Sequence, residues 1–276
     1  MLSIVFGVIV GLALGLTGGG GSIFAVPLLI YGLDVAPRNA VAISLIAVAL
    51  TAASGAIEGW WHAVVERRAA AIFAVAGMIA APGGVWLGDQ VSPQLTVLAF
   101  AMLMLVVAAR MLIKAQRAPE EARVIRARIA TEAVDDLPTV CRYSTDGRLR
   151  LTARCSLVLV AAGLVVGVLS GFFGVGGGFL IVPALMLITE MGIHRAVATS
   201  LLVITLIGLS GVASAMLAGR QIDAALTTLF IVGGVIGMGG GRLLAQQLAG
   251  RTLQTVFAVA MIIISIFMLF ERLGPI

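Results

Sequence analysis

The chain has 276 residues, 61% of them hydrophobic and only 11% charged, with a formal net charge of +5 and a mean hydropathy of +1.14. A water-facing surface needs far more Lys, Arg, Glu and Asp than this, so a soluble domain is excluded. The apolar runs are continuous and rich in Leu, Ala and Val, without the alternation of barrel strands. They predict an all-α polytopic membrane protein.

Residues 3–16 are apolar, residues 17–22 form a glycine-rich break, and the chain is apolar again to about residue 35. Each piece is about 14 residues, below the ~20 that a helix rising 1.5 Å per residue needs to cross a bilayer core. The first piece lacks the basic start and small-residue cleavage site of a signal peptide, so it is expected to belong to the mature fold. Residues 40–61, 69–88 and 94–113 then read as full spans. A polar connector, 114–153, follows; within it 120–132 suits a short arginine-rich surface helix, and no run spans a membrane. Segments 157–172 and 179–189 are again short and flank a second break, and 196–218, 224–244 and 253–270 are full spans. Small residues recur four apart within these spans, at Gly77/Ala81 and at Gly233/Gly237/Gly241, a spacing that brings helix backbones close in lipid.

The two sets of segments are copies. Residues 15–27 return at 171–183, and with the same offset of 156 Gly11 falls on Gly167, Ser44 on Ser200, Gly77 on Gly233 and Gly83 on Gly239. The expected organisation is repeat 1 at 1–113, a basic linker at 114–153 and repeat 2 at 154–276. Each repeat has a Gly-interrupted pair of short helices and three full transmembrane helices. Ten of the eighteen Lys and Arg lie within 110–154, which predicts a cytoplasmic linker. Charge counting alone fits an inverted pair of repeats and, almost as well, a parallel pair with one broken crossing in each. The half-length pieces suit re-entrant hairpins and favour inversion.

Paired short, Gly-interrupted segments at matching places in two halves point to a transporter's binding site. Non-helical backbone at membrane depth must be buried in protein or line a wet cavity. A helix restarting after each break, at Ser22 and at Gly178, would present unpaired N–H groups and the positive end of its dipole. That chemistry binds a small anion without a buried Lys or Arg. The candidate ligands are the backbone of Gly18, Gly19, Gly20, Gly21, Ser22, Gly174, Gly176, Gly177 and Gly178, with the hydroxyls of Ser44 and Ser200. Thr17, Ser170 and Thr199 lie close by in the sequence. Pro27 and Pro183 read as kinks, and Glu58 as the partner of Arg67 or Arg68 ahead of a group titrating in a coupled cycle. Arg38 and Arg195 read equally as guides to the two mouths or as headgroup anchors, and His194 as a solvated residue. Cys141 and Cys155, reduced on a cytosolic face, read as incidental. No catalytic constellation, metal motif or cofactor fingerprint is present: the run at 174–178 follows no strand and lacks the Gly-Lys-Ser/Thr of a phosphate loop.

The doubled glycine motif at 15–27 and 171–183, with Ala-Val-Ala-x-Ser-Leu at 40–45 and 196–201, resembles the TauE/SafE family of membrane permeases. The likeness covers nearly the whole chain except the linker, which is longer than the family's; Thr17 and Gly19 stand where the second copy has Phe173 and Val175. The resemblance implies a bacterial inner-membrane protein exporting sulfite, sulfonates or related small organic anions. The partners expected are a small anionic substrate and the lipid bilayer, with no nucleic acid. Two rivals remain, a passive anion channel and an accessory or scaffold subunit whose glycines only pack helices.

Overall fold

The computed structural model describes residues 2–61, 64–117, 141, 152–189, 191–220, 222–245 and 250–273. Most of the linker, including 120–132, lies outside them. The helices in chain order are α1 (Leu2–Thr17), a 3-10 turn (Gly20–Phe24), α2 (Ala25–Gly32), α3 (Pro37–Trp61), α4 (Arg67–Gln90) and α5 (Pro93–Arg117). After the linker come α6 (Ala153–Phe173), α7 (Gly178–Ile188), α8 (Ile193–Leu217), α9 (Ala224–Ala245) and α10 (Gly250–Leu273). Two compact units result, one of α1–α4 with α6–α9, the other of α5 with α10.

The elements follow the sequence reading, with two corrections. The segment expected at 157–172 begins at Ala153 and, at 21 residues, is long enough to cross a membrane. Thr152 is its N-cap, accepting a hydrogen bond from the Cys155 N–H at 3.2 Å, so the helix starts before its apolar run does. The helix expected to restart at Ser22 instead begins as a 3-10 turn at Gly20 and becomes α-helical at Ala25. Pro27 therefore falls in the first turn of α2, where its missing N–H costs nothing.

Glycines decide which helices pair. A Cβ on Gly7, Gly11 or Gly15 of α1 would collide with the carbonyls of Phe230, Gly234 or Met238 of α9, and one on Gly233, Gly237 or Gly241 with those of Ile4, Val8 or Leu12. The numbers rise together, so α1 and α9 are parallel with their backbones in contact. The same lock recurs between α6 and α4, where Gly163, Gly167 and Gly171 face the carbonyls of Phe73, Gly77 and Ala81. Each repeat's first helix is thus interlocked with the other repeat's fourth. Between α3 and α8 the numbers oppose: Gly59 meets Ala198, Gly55 meets Leu201, Gly208 meets Ala49 and Gly211 meets Leu45. These two counterparts pack antiparallel.

Further contacts complete the directions. Gly234 lies against Thr51 and Gly55 against Met238, so α3 runs with α9. Gly77 lies against Ile207, and the Ser210 hydroxyl donates to the Met78 carbonyl at 2.7 Å, so α4 runs with α8. Pro82 inside α4 is what frees that carbonyl. Hence α1, α3 and α9 point one way and α4, α6 and α8 the other, each helix opposite to its counterpart 156 residues away. Both Gly-interrupted pairs double back as hairpins: Gly21 returns to Ala13 and Leu14, Gly32 to the Phe6 ring, and Gly177 to Val166 and Ser170.

One end of this unit gathers Arg67, Arg68, Arg195, Arg242 and the start of α6, while Arg38, Asp89 and Arg220 share the other. Glu58 pairs with Arg242 of α9, not with Arg67 or Arg68 as expected from sequence proximity. Arg67 instead lies over the Trp60 ring, 4.3 Å from its centroid. Most of α3 is buried, whereas Ile79, Trp86, Leu157 and Val165 on the neighbouring helices face outward, as lipid contact requires.

The cysteines are not incidental. Cys141 and Cys155 form a disulfide with a Cα–Cα distance of 5.1 Å, at the arginine-rich end. The Cys141 N–H also donates to the Ile188 carbonyl at 3.0 Å, fastening the linker's end to the base of the second hairpin. Cys141→Ser is expected to lower stability by about 3 kcal/mol, the loop-closure value for a ring of ~15 residues. Thermal unfolding in detergent checks this: reductant should lower the wild-type midpoint and leave the variant's unchanged.

Candidate functional site

The two hairpin tips meet. A Cβ on Gly19 would stand 2.6 Å from the Gly178 carbonyl oxygen, and one on Gly178 2.7 Å from that of Gly19. No side chain fits between them.

At the first tip the chain leaves α1 through Gly18 (φ +71°) and Gly19 (φ +157°), conformations that L side chains rarely adopt. Local hydroxyls close this tip. Thr17 Oγ1 donates to the Ala13 carbonyl (2.7 Å) and accepts from the Gly21 N–H (3.1 Å), and Ser22 Oγ donates to the Gly19 carbonyl (2.7 Å). At the second tip Gly174 caps α6 in the left-handed region, its N–H donating to the Ser170 carbonyl at 2.9 Å. Gly176 and Gly177 also have positive φ, and Gly177 is the residue from which α7 starts, with no side-chain cap.

The tips are held by the opposite repeat. Ser200 Oγ donates to the Gly18 carbonyl at 2.7 Å, and Ser44 Oγ donates to the Gly174 carbonyl. These two bonds are copies at the offset of 156. Gly18 also packs on Val197 and Gly174 on Val41, another matched pair. Each tip thus rests on the long helix of the other repeat. Ser44 and Ser200, expected to donate to a ligand, share their one proton between a tip carbonyl and a carbonyl of their own helix, that of Val41 or Val197. Gly21 faces the α1 backbone inside its own hairpin rather than the other tip.

The remaining donors point to chemistry. The backbone N–H groups of Gly19, Gly20, Val175, Gly176 and Gly177 form no hydrogen bond with the described residues. All five residues are buried except Gly20, which is half-buried. A buried N–H without a partner costs about 1–3 kcal/mol, so such groups are normally satisfied by protein, water or ligand. These donors suit an anion, while the Gly19 and Gly178 carbonyl oxygens are the acceptors where the tips touch. Arg38 and Arg195 lie about one and a half turns from Ser44 and Ser200, roughly 7–9 Å along their helices.

Sequence reasoning passed over Val48 and Ile204, a matched pair between which Gly176 sits. It also passed over the contact between Arg220 and Asp89 (2.9 Å) at the end where α4 and α8 finish. A lone Arg after a span and a lone Asp before a turn carry no mutual signal in sequence.

The family model described as sulfite exporter TauE/SafE matches residues 3–268. A "Probable membrane transporter protein" of Xylella fastidiosa (strain 9a5c) is 35% identical over 270 residues, covering 96% of this chain and 93% of its own. The "Probable membrane transporter protein YunE" of Bacillus subtilis (strain 168) is 25% identical over 278 residues, 98% of this chain and 97% of its own. No solved structure matches. Fold, interlocked repeats and these relatives agree that this chain is a multi-pass membrane transporter of the TauE/SafE family, not an enzyme.

Proposed function

We propose that the protein is a secondary transporter that exports a small anion such as sulfite, a sulfonate or a related organic anion across the bacterial inner membrane. The tips, whose backbones touch in this structure, part to seat the anion, and access alternates around it. The observation that carries this reading is the set of buried, unpaired N–H groups at Gly19, Val175, Gly176 and Gly177, with no side chain between the tips. In this reading Gly18, Gly19, Gly20, Gly176, Gly177 and Gly178 form the seat, Gly21 and Ser22 shape the first tip, and Ser44 and Ser200 fix Gly174 and Gly18. The repeats at 1–113 and 154–276 are inverted across the membrane, and the linker at 114–153 is cytoplasmic. The antiparallel packing of α3 on α8 supports the inversion and the gathering of arginines at one end supports the cytoplasmic linker, whereas the Cys141–Cys155 disulfide at that same end is the observation against it, since such a bond belongs to an oxidising compartment.

Gly177→Ala tests the seat against its strongest control. An alanine at φ +66°, with Val166 Cγ1 at 2.5 Å from its Cβ, distorts the tip. Gly219, in the turn after α8, has φ +69° with nothing within 4 Å, so Gly219→Ala carries similar backbone strain away from the tips. In proteoliposomes, Gly177→Ala is expected to lose sulfite or sulfonate counterflow while still inserting, and Gly219→Ala to retain it. Equal activity in both would remove the tips from the mechanism. Saturable counterflow distinguishes a carrier from a passive channel, and no flux of any anion would favour an accessory subunit.

A further inference from the structure

The two tips are copies in sequence but not in chemistry. Serines in membrane helices usually give their proton to a carbonyl of their own helix. Ser265 does so, bonding the Met261 carbonyl, and Ser54 bonds that of Thr51. Ser210 reaches a carbonyl of another segment, and Ser44 and Ser200 reach both a tip carbonyl and one of their own helix. Ser170 does neither. Its side chain is 1% exposed and its hydroxyl has no partner, although its own carbonyl receives the Gly174 N–H. It stands beside the second tip, with its Cβ 3.5 Å from the place a Gly177 Cβ would take. Its counterpart in the first repeat is Leu14, which cannot donate.

The backbone shows the same asymmetry. The first tip satisfies one donor with its own hydroxyl, the Gly21 N–H on Thr17 Oγ1, leaves the N–H groups of Gly19 and Gly20 unpaired, and continues into a 3-10 turn of five residues, Gly20–Phe24. The second tip leaves three consecutive N–H groups unpaired and opens directly into α7, an α-helix of eleven residues without a side-chain cap. The dipole of that helix favours negative charge at its start.

We infer that the anion is seated asymmetrically at the second tip, and that the Ser170 hydroxyl donates to it together with the N–H groups of Gly176 and Gly177. The inference rests on the anion reading of the tips. Several unpaired donors suit an oxyanion with two or three oxygens, each accepting its own bond. A halide offers one centre and gains less from the added hydroxyl.

The test uses the full chain in detergent, measuring dissociation constants for sulfite, ethanesulfonate, acetate and bromide. Ser170→Ala removes only an unpaired hydroxyl, so the unliganded melting temperature should hold or rise. Its affinity for the oxyanion that the wild type binds should fall about tenfold, the scale of one hydrogen bond to a charged group, with bromide changing less than about twofold. Gly177→Ala should abolish binding and Thr17→Val, which removes the hydroxyl that closes the first tip, should leave it within about threefold. Wild-type affinity in Ser170→Ala, with binding lost in Gly177→Ala, overturns the Ser170 assignment and leaves the tip site standing. Equal losses in Thr17→Val and Ser170→Ala overturn the asymmetry. Binding unaffected in Gly177→Ala, or no anion bound by the wild type, overturns the anion reading itself.

Discussion

Gly11→Ala is expected to be the most damaging single methyl in the chain, lowering stability by about 3 kcal/mol, the upper range for overpacking. The added Cβ would overlap the Gly234 carbonyl oxygen, a backbone atom of α9 with no rotamer by which to move aside. Relief requires α1 and α9 to separate, which also loosens the contacts at Gly7, Gly15, Gly233 and Gly237. In lipid such contacts carry the association, because no hydrophobic force drives one apolar helix onto another. Gly167→Ala, its counterpart facing Gly77 in the α4/α6 lock, should behave alike. Gly83 and Gly239, the matched pair with nothing within 4 Å, are the controls. Alanine there should be neutral or stabilising by up to about 1 kcal/mol, since glycine is the poorer helix former. Thermal unfolding of the four purified variants decides it. If Gly11→Ala melts with Gly83→Ala, the interlock does not hold α1.

Asp89→Ala is expected to cost on the order of 3 kcal/mol, and for a different reason: it strands a buried charge. The Arg220 side chain is 7% exposed. It donates to the Asp89 carboxylate, to the Arg38 carbonyl at 3.2 Å and to the Val85 carbonyl at 3.4 Å, while Arg38 donates to the Asp89 carbonyl at 3.0 Å. Arg220 thereby ties the starts and ends of three helices and occupies the free carbonyls near the C-terminus of α4, where positive charge is favoured. Its Nε is already unpaired, so losing the carboxylate leaves a guanidinium facing carbonyls alone. Removing Arg220 as well should recover part of the loss, and a double-mutant cycle should return a coupling energy above about 1 kcal/mol. Additive losses would mean that the pair is solvated. The Glu58–Arg242 pair gives the scale: its side chains are 53% and 30% exposed, and Glu58→Ala should cost less than about 1 kcal/mol.

What the sequence by itself determined is whatever a local pattern encodes. Continuous apolar runs dictate membrane helices because the bilayer leaves no other way to satisfy the backbone. The offset of 156 exposes the repeat, and the glycine clusters mark the breaks because positive φ there admits little else. Spacing of four at Gly233, Gly237 and Gly241 announces a close helix contact. It cannot name the partner, since every small-residue stripe in the chain offers the same surface. Only the tertiary structure decided that α1 locks onto α9 and α6 onto α4, and that α3 and α8 oppose. Charge counting was degenerate because helix direction enters it only as parity. The fate of single polar groups was hidden for the same reason. Ser44, Ser200 and Ser170 look alike in sequence. Which of them gives its proton to a carbonyl depends on what the other repeat brings within about 3 Å. The disulfide and the burial of Arg220 likewise depend on where distant chain ends arrive. Periodicity and backbone permissiveness are properties of a stretch of residues, whereas pairing and satisfaction are properties of the closed fold.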